Sequence, residues 1–185
     1  MSQSKSDSSR KRILDAATQI ALERGPKQLT LDNVAKQCGM SKGGLMHHFK
    51  NKDALLAGMV EAMISLLMTD TEETQQQHDD GLAITTLLRS RQLHHEKIAM
   101  YQAKILLVAA VENPELLKPM QELMKCKKQE IESQDAIDES TLLWLAADGL
   151  SFQELMEISP FDETERNAIR QKLIAKAVAL EEAKQ

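Results

Sequence analysis

Ser41-Lys42-Gly43-Gly44-Leu45-Met46-His47-His48, set between Gly39 and the run Phe49-Lys50-Asn51-Lys52, reads as a short helix shaped to lie against a nucleic-acid backbone. Two adjacent glycines inside a helix each cost roughly 1 kcal/mol relative to alanine, so packing alone gives little reason to place them there. Without side chains at both positions, another polymer can come close. Around the pair stand a hydroxyl at the expected N-cap (Ser41), two cations (Lys42, Lys52) and two imidazoles (His47, His48), all suited to phosphate oxygens or base edges.

The upstream sequence supplies the frame for that helix. Ile13, Ala16, Ala17, Ile20 and Ala21 recur at helical spacing, and Gly25-Pro26 ends the run as a glycine followed by proline should. Leu29-Thr30 then opens a second helix, with Thr30 as N-cap, Asp32 in the first turn where it suits the helix dipole, and Val34, Ala35 and Cys38 facing inward. Gly39-Met40 is the turn. A helix, a short glycine-containing turn and a second short helix form a helix-turn-helix, whose second helix enters the major groove.

Residues 10–56 resemble the DNA-binding domain of the TetR family of bacterial transcriptional regulators. The resemblance is carried by Ile13-Leu14-Asp15-Ala16-Ala17, Gly25, Thr30-Leu31-Asp32-Asn33-Val34-Ala35, Gly39-Met40-Ser41-Lys42-Gly43, and Leu45 followed by His47-His48-Phe49-Lys50-Asn51-Lys52-Asp53-Ala54-Leu55-Leu56. It implies that Thr30, Ser41 and Lys52 hold phosphates, that Lys42, Gly43, Gly44, Met46, His47 and His48 face the groove, and that Leu45 and Phe49 point into the head's core. Arg10 and Arg12 either add phosphate or minor-groove contacts or make none. Met46 stands where the family usually has tyrosine, and Gly44 where it often has a small hydroxylated or methylated residue. A phenolic phosphate contact is thereby replaced by a thioether that presses on a thymine methyl or packs.

Charge divides the chain in the same way. Residues 1–52 hold ten Lys/Arg and four Asp/Glu, whereas the remainder holds thirteen and twenty-four. The overall net charge of −5 hides a basic head that attracts DNA and an acidic body that repels it. Aromatics make up 3 % of the 185 residues and strand-forming runs are absent, which predicts an all-α protein of about nine helices. The expected organisation is a polar, disordered tail (1–9), a helix-turn-helix head (10–56) and a larger helical effector-binding and dimerisation domain (57–185). The tail resembles neither a signal sequence nor an anchor, and the apolar runs 105–111 and 142–147 fall short of the roughly 18 residues that cross a bilayer, so a cytoplasmic location away from any membrane is expected. Cys38 and Cys126 are far apart and lack a metal-ligand pattern, as expected of reduced thiols.

Past Lys52 the chain reads as a string of helices: one over residues 53–73 with Leu56, Met59, Val60, Met63 and Leu67 as its stripe, a polar loop at Gln75-Gln76-Gln77-His78-Asp79-Asp80-Gly81, helices to about Leu93 and Glu112, and another opened by Asn113-Pro114. Leu116, Leu117, Met120, Leu123 and Met124 form the apolar face of this last helix, and a polar loop over 133–138 closes it. Residues 142–156 are apolar around most of the helix circumference and must be covered on more than one side. Asp162 and Glu165 make a capping box for a final helix striped by Ile169, Leu173, Ala177 and Leu180. The resemblance implies that these last two helices pair with those of a second copy, placing Leu142, Leu145, Gly149, Leu150, Gln153, Ile169, Leu173 and Ala177 at a homodimer interface. A helix buried within one domain is the alternative. A two-fold protein with two reading heads then matches a palindromic operator in double-stranded DNA.

The resemblance also implies a cavity for a small-molecule effector among the middle helices. Met63, Leu67, Met100, Tyr101, Leu107, Met120, Met124 and Trp144 are candidates for its lining, with Lys104 or Arg89 as a polar contact; the same residues would serve equally as ordinary core. Methionines adapt to varied apolar shapes, which favours a largely apolar effector. His78-Asp79-Asp80 and His94-His95-Glu96 contain groups used in catalysis, but adjacent histidines on a helix point about 100° apart and the two-histidine zincin spacing is absent, so no enzyme, metal or cofactor is expected. The expected function is a repressor that binds its operator as a dimer and is released by an effector. An effector-independent DNA-binding protein with a structural or cell-cycle role is the other reading.

Overall fold

The computed structural model describes residues 2–77, 83–93, 98–131 and 138–183, and among these the side chains of all but 2–6, 26, 77, 93, 98–104 and 181. The described residues form nine α-helices and no strand: α1 (Ser2–Glu23), α2 (Leu31–Gln37), α3 (Lys42–Met46), α4 (Lys52–Gln77), α5 (Ala83–Leu93), α6 (Ile98–Glu112), α7 (Lys118–Ile131), α8 (Glu139–Leu155) and α9 (Glu163–Glu182). Short 3-10 turns at Pro26–Gln28 and Pro114–Leu117 precede α2 and α7.

Local side chains write most of the helix starts. Thr30 Oγ1 accepts the Asn33 N–H at 3.2 Å, Ser41 Oγ the Gly44 N–H at 3.1 Å, and Asp138 Oδ1 the Thr141 N–H at 3.0 Å. Each cap satisfies an N–H that the first helical turn leaves without a partner. The predicted box at α9 is closed from both sides, Asp162 N–H donating to Glu165 Oε2 at 2.9 Å and Glu165 N–H to Asp162 Oδ1 at 2.8 Å. Asn113 caps the 3-10 turn before α7, so the helix expected directly after Pro114 begins at Lys118 instead.

Two expected irregular segments are helical. Residues 2–9, expected as a disordered tail, are the first turns of α1, because no proline or glycine interrupts the chain before Glu23 and helix propagates outward from the buried turns at Ile13 and Ala17. Gln75, Gln76 and Gln77 extend α4 rather than open a loop, since glutamine is a good helix former. The rest of that loop, residues 78–81, and residues 133–137 of the later one lie outside the described residues.

The chain divides into two compact units, Met1–Ser65 with Tyr101–Met120, and Leu66–Met100 with Gln121–Gln185. The division expected after residue 56 falls inside α4. In the first unit α1, α2 and α3 close over Ile13, Ala17, Ile20, Leu29, Val34, Leu45 and Phe49. Leu55, Leu56, Met59 and Val60 of α4 join this core, as do Ile105, Val108 and Ala109 of α6. α1, α2 and α3 do not cover α4 on every side, and α6 supplies the missing apolar surface. By length and composition α4 would suffice to cross a bilayer, but its Leu55, Leu56, Met59, Val60 and Met63 are buried here as core.

The second unit is built on Ile84, Leu87 and Leu88 of α5, Ile131 of α7, Leu143 of α8 and Ala177 of α9, with Trp144, Leu173 and Ile174 packed against them. Arg91 of α5 pairs with Asp148 of α8, and Glu154 of α8 pairs with Arg166 at 2.7 Å and with Arg170, both on α9. α8 ends in a left-handed residue, Glu157 (φ 57°), with Glu157 N–H donating to the Glu154 carbonyl and Ile158 N–H to the Gln153 carbonyl, each at 3.0 Å. That double bond pattern is a Schellman cap, here built on glutamate rather than glycine.

This unit holds the residues expected at the interface. Leu150 is 7 % exposed and Ala177 fully buried, so both pack within the chain's own core. Leu173, Ile169 and Gln153 are half-buried. Leu142 (58 % exposed), Leu145 (59 %) and Gly149 lie on the outside of α8, in line with Phe152 and Met156. A helix that is apolar all round has no phase in its sequence; packing against α5 and α9 selects which side turns inward.

Candidate nucleic-acid interface

Two glycines set the frame of the helix-turn-helix. Gly25 (φ 82°) ends α1 and Gly39 (φ 64°) turns the chain between α2 and α3, both in the left-handed region where a Cβ is penalised. Cys38 Sγ donates to the Arg12 carbonyl at 3.7 Å, tying the turn to α1. Burial pushes the Cys38 thiol up from its ordinary value, partly offset by the Arg12 charge, which keeps it a protonated packing group.

Burial differs along α3 and the residues that follow it. Leu45 and Phe49 are buried, whereas Ser41, Lys42, Gly43, Met46 and His47 are exposed and Gly44 and His48 half-buried. Neither central glycine has a positive φ, and a Cβ built on Gly43 would meet nothing within 4 Å. One built on Gly44 would meet only Ser41 Oγ, at 3.3 Å. The protein's own backbone and packing therefore give little cause for glycine at Gly43, where the space in front is open, whereas a Cβ at Gly44 would press on the capping hydroxyl of Ser41.

Gly58, to which no sequence motif draws attention, is the opposite case. A Cβ there would lie 2.7 Å from Phe49 Cε1, so α4 crosses the Phe49 ring at a distance that only glycine permits. Arg10, a candidate for DNA contact, stacks on the same ring at 4.5 Å and reaches Glu61 at 3.3 Å. It is thus engaged within the head, in a cation–π contact of the ordinary kind.

Both cations expected at the DNA already have carboxylate partners. Lys42 Nζ lies 2.9 Å from Asp32 Oδ2 in the first turn of α2, and Lys52 Nζ lies 2.7 Å from Glu112 Oε1 at the end of α6. The second pair joins residues 60 apart in sequence, and no local pattern could have announced it. Thr30 is exposed.

The candidate effector residues are divided between the two units. Met63 and Met120 are buried and belong to the first unit, where Leu107 is exposed; Leu67, Arg89 and Met124 are half-buried and belong to the second. Trp144 packs against the second unit's core with its indole N–H buried and, among the described residues, without an acceptor. The side chains of Met100, Tyr101 and Lys104 lie outside the described residues, as do His78-Asp79-Asp80 and His94-His95-Glu96. A cavity of about 20 Å³ lined by Leu88, Arg91, Ala147, Ser151, Leu173 and Ile174 of the second unit has room for a water and contains none of the expected lining.

Comparison with known proteins gives the same picture. Residues 13–59 match the family model described as bacterial regulatory proteins, tetR family, and residues 83–177 that described as tetracyclin repressor-like, C-terminal domain. The chain is 44 % identical over 48 residues to the HTH-type transcriptional regulator PksA of Bacillus subtilis (26 % of this chain, 23 % of PksA). It is 26 % identical over 101 residues to the HTH-type transcriptional repressor KstR2 of Rhodococcus jostii (52 % of this chain, 50 % of KstR2). These matches span between about a quarter and a half of the relatives' length. Among solved structures, a TetR-family transcriptional regulator from Rhodococcus sp. superposes with a TM-score of 0.66 at 19 % identity, covering 91 % of this chain and 95 % of the other. The multidrug binding protein EbrR, complexed with imidazole, superposes with a TM-score of 0.61 at 20 % identity (89 % and 93 %).

Proposed function

The chain belongs to the TetR family of DNA-binding transcriptional regulators, and from that premise we propose that it is a cytoplasmic repressor that binds a palindromic operator as a homodimer and leaves it when a small molecule binds the helical body. The observation that carries the DNA half of this reading is the glycine pair of α3. Gly43 faces open space, neither glycine has a positive φ, and the helix bears their cost of roughly 1 kcal/mol each. A phosphate backbone or base edge drawn up to that space gives the missing side chains a use. Ser41, Lys42, His47 and His48 on and around α3 and the exposed Thr30 are groups able to donate to such an oxygen, and Lys52 stands at the start of the next helix.

The dimer half rests on α8. Leu142, Leu145, Gly149, Phe152 and Met156 repeat at steps of three and four, the spacing of a helix seam, and the four large side chains among them are exposed. α9 adds exposed Ala168, Ala175 and Ala179, small enough for close helix approach. An apolar stripe of this kind on a regulator fits a second copy of the same chain.

The effector half rests on Trp144, whose buried N–H donor has no acceptor among the described residues. An uncompensated donor costs on the order of 1–3 kcal/mol, which a ligand carrying an acceptor would recover. The imidazole held by EbrR is a small aromatic ring with such a nitrogen. Release needs more than tight binding, because moving a 1:99 equilibrium to 99:1 takes about 5.5 kcal/mol of preference for the form that does not hold DNA.

Selection of duplexes from a random-sequence pool tests the reading as a whole. The expected product is an inverted repeat with half-sites one helical turn apart or a multiple of it. Mapping that repeat on the genome would then identify the regulated genes. Selection that enriches no sequence, or enriches a single undivided site, would contradict it.

A further inference from the structure

Lys52 and Glu112 each sit at the wrong end of a helix. Lys52 is the first residue of α4, where the helix dipole disfavours a cation, and Glu112 the last of α6, where it disfavours an anion. Their contact at 2.7 Å relieves both. The Glu112–Asn113 corner is also fixed in place. Asn113 Nδ2 donates to Asp53 Oδ2 at 3.1 Å, its Oδ1 accepts the Glu115 N–H at 3.1 Å, and its own N–H donates to the Ala109 carbonyl at 2.9 Å. The end of α6 is therefore seated on the first turn of α4 at two points, with the carboxylate directed at the one cation of that turn.

We propose that Glu112 is a built-in competitor of the operator phosphate for Lys52, and so a determinant of DNA affinity lying outside the helix-turn-helix. The proposal rests on the reading of Lys52 as a phosphate contact. A lysine has one ammonium head, and both a carboxylate and a phosphate oxygen seek it at hydrogen-bond distance. For Lys52 to close on DNA it must leave Glu112, and the cost of parting is subtracted from every binding event, specific or not. The pair is partly exposed, so its strength is that of a surface ion pair: enough to change affinity severalfold, and too weak to prevent binding.

A double-mutant cycle tests this on the full-length protein, using a fluorescent duplex of the sequence selected by the wild type. Glu112→Gln should tighten binding about two- to fivefold at low salt and steepen the dependence of log K on log salt, as a further phosphate contact releases a counterion. In the Lys52→Ala background the same change should leave affinity within about 1.5-fold. Equal gains in both backgrounds would mean simple repulsion between Glu112 and DNA and would overturn the proposal. Weaker binding by Glu112→Gln would also overturn it, making Glu112 a group that positions Lys52. If Lys52→Ala changes nothing in either background, Lys52 holds no phosphate, and the premise fails with the proposal. Unchanged helix content and sedimentation of each variant separate these outcomes from misfolding.

Discussion

Gly58 and Phe49 stand so close that a Cβ on the glycine would lie 2.7 Å from Phe49 Cε1, with Arg10 Nη2 at 3.2 Å and Leu14 Cδ2 at 3.3 Å. The ring is buried in the head's core and capped by the Arg10 guanidinium, so it has little freedom to retreat. Gly58→Ala is expected to destabilise the protein by about 1–3 kcal/mol, the usual cost of overpacking. Thermal unfolding checks it. An unchanged melting temperature would mean that the Phe49 ring has room the close approach denies.

Glu157 offers the reverse experiment. At φ 57° it holds a conformation natural to glycine and costly for a side-chain-bearing residue. Glu157→Gly is expected to stabilise by about 1 kcal/mol, raising the melting temperature by about 2–4 °C. A lower melting temperature would show that the glutamate side chain has a role that outweighs the strain.

The two sides of α8 should respond differently to charge. Leu145→Glu on the exposed stripe is expected to halve the mass seen by sedimentation at micromolar concentration without loss of helix. Leu150→Glu, in the subunit's own core, is expected to lower the melting temperature by several degrees or prevent folding, since an unpaired charge is buried. A wild-type monomer at that concentration would remove both the interface and the palindrome.

Trp144 is the lone tryptophan, so its fluorescence reports its surroundings without interference from another indole. Apolar compounds bearing an acceptor nitrogen or oxygen are expected to shift its emission and to dissociate the duplex over the same concentration range. Compounds that shift Trp144 while leaving DNA affinity unchanged would argue for DNA binding without this switch.

What could be read in the sequence was mostly local. Thr30, Ser41, Asp138 and the Asp162/Glu165 box act on N–H groups three residues away, within the span of a motif; Asp138, expected as part of a loop, shows that even a local cap can be passed over. The burial of Leu45 and Phe49 against the exposure of Met46 and His47 was legible through the family resemblance, position by position. Lys52 with Glu112 and Gly58 with Phe49 depend on how separate helices cross, and one residue of each pair gives no sign of the other. The partition of α8 into Leu142 and Leu145 outside and Leu150 inside was hidden for another reason: a helix apolar on all sides carries no phase to read. Glu157 gave no signal either, because the left-handed cap is usually announced by glycine.

The central claim is that the glycines of α3 leave room for DNA, and Gly43→Ala addresses it most directly because a Cβ there meets nothing within 4 Å of the protein itself. Within the fold the change should be favourable, by up to about 1 kcal/mol of helix propensity. The measurement is duplex affinity set beside the melting temperature of the same sample. The expected result is a melting temperature equal to or above wild type together with a loss of affinity of about tenfold or more, equivalent to about 1.4 kcal/mol. Affinity within twofold of wild type would contradict the claim, since the added methyl group would then have met no DNA.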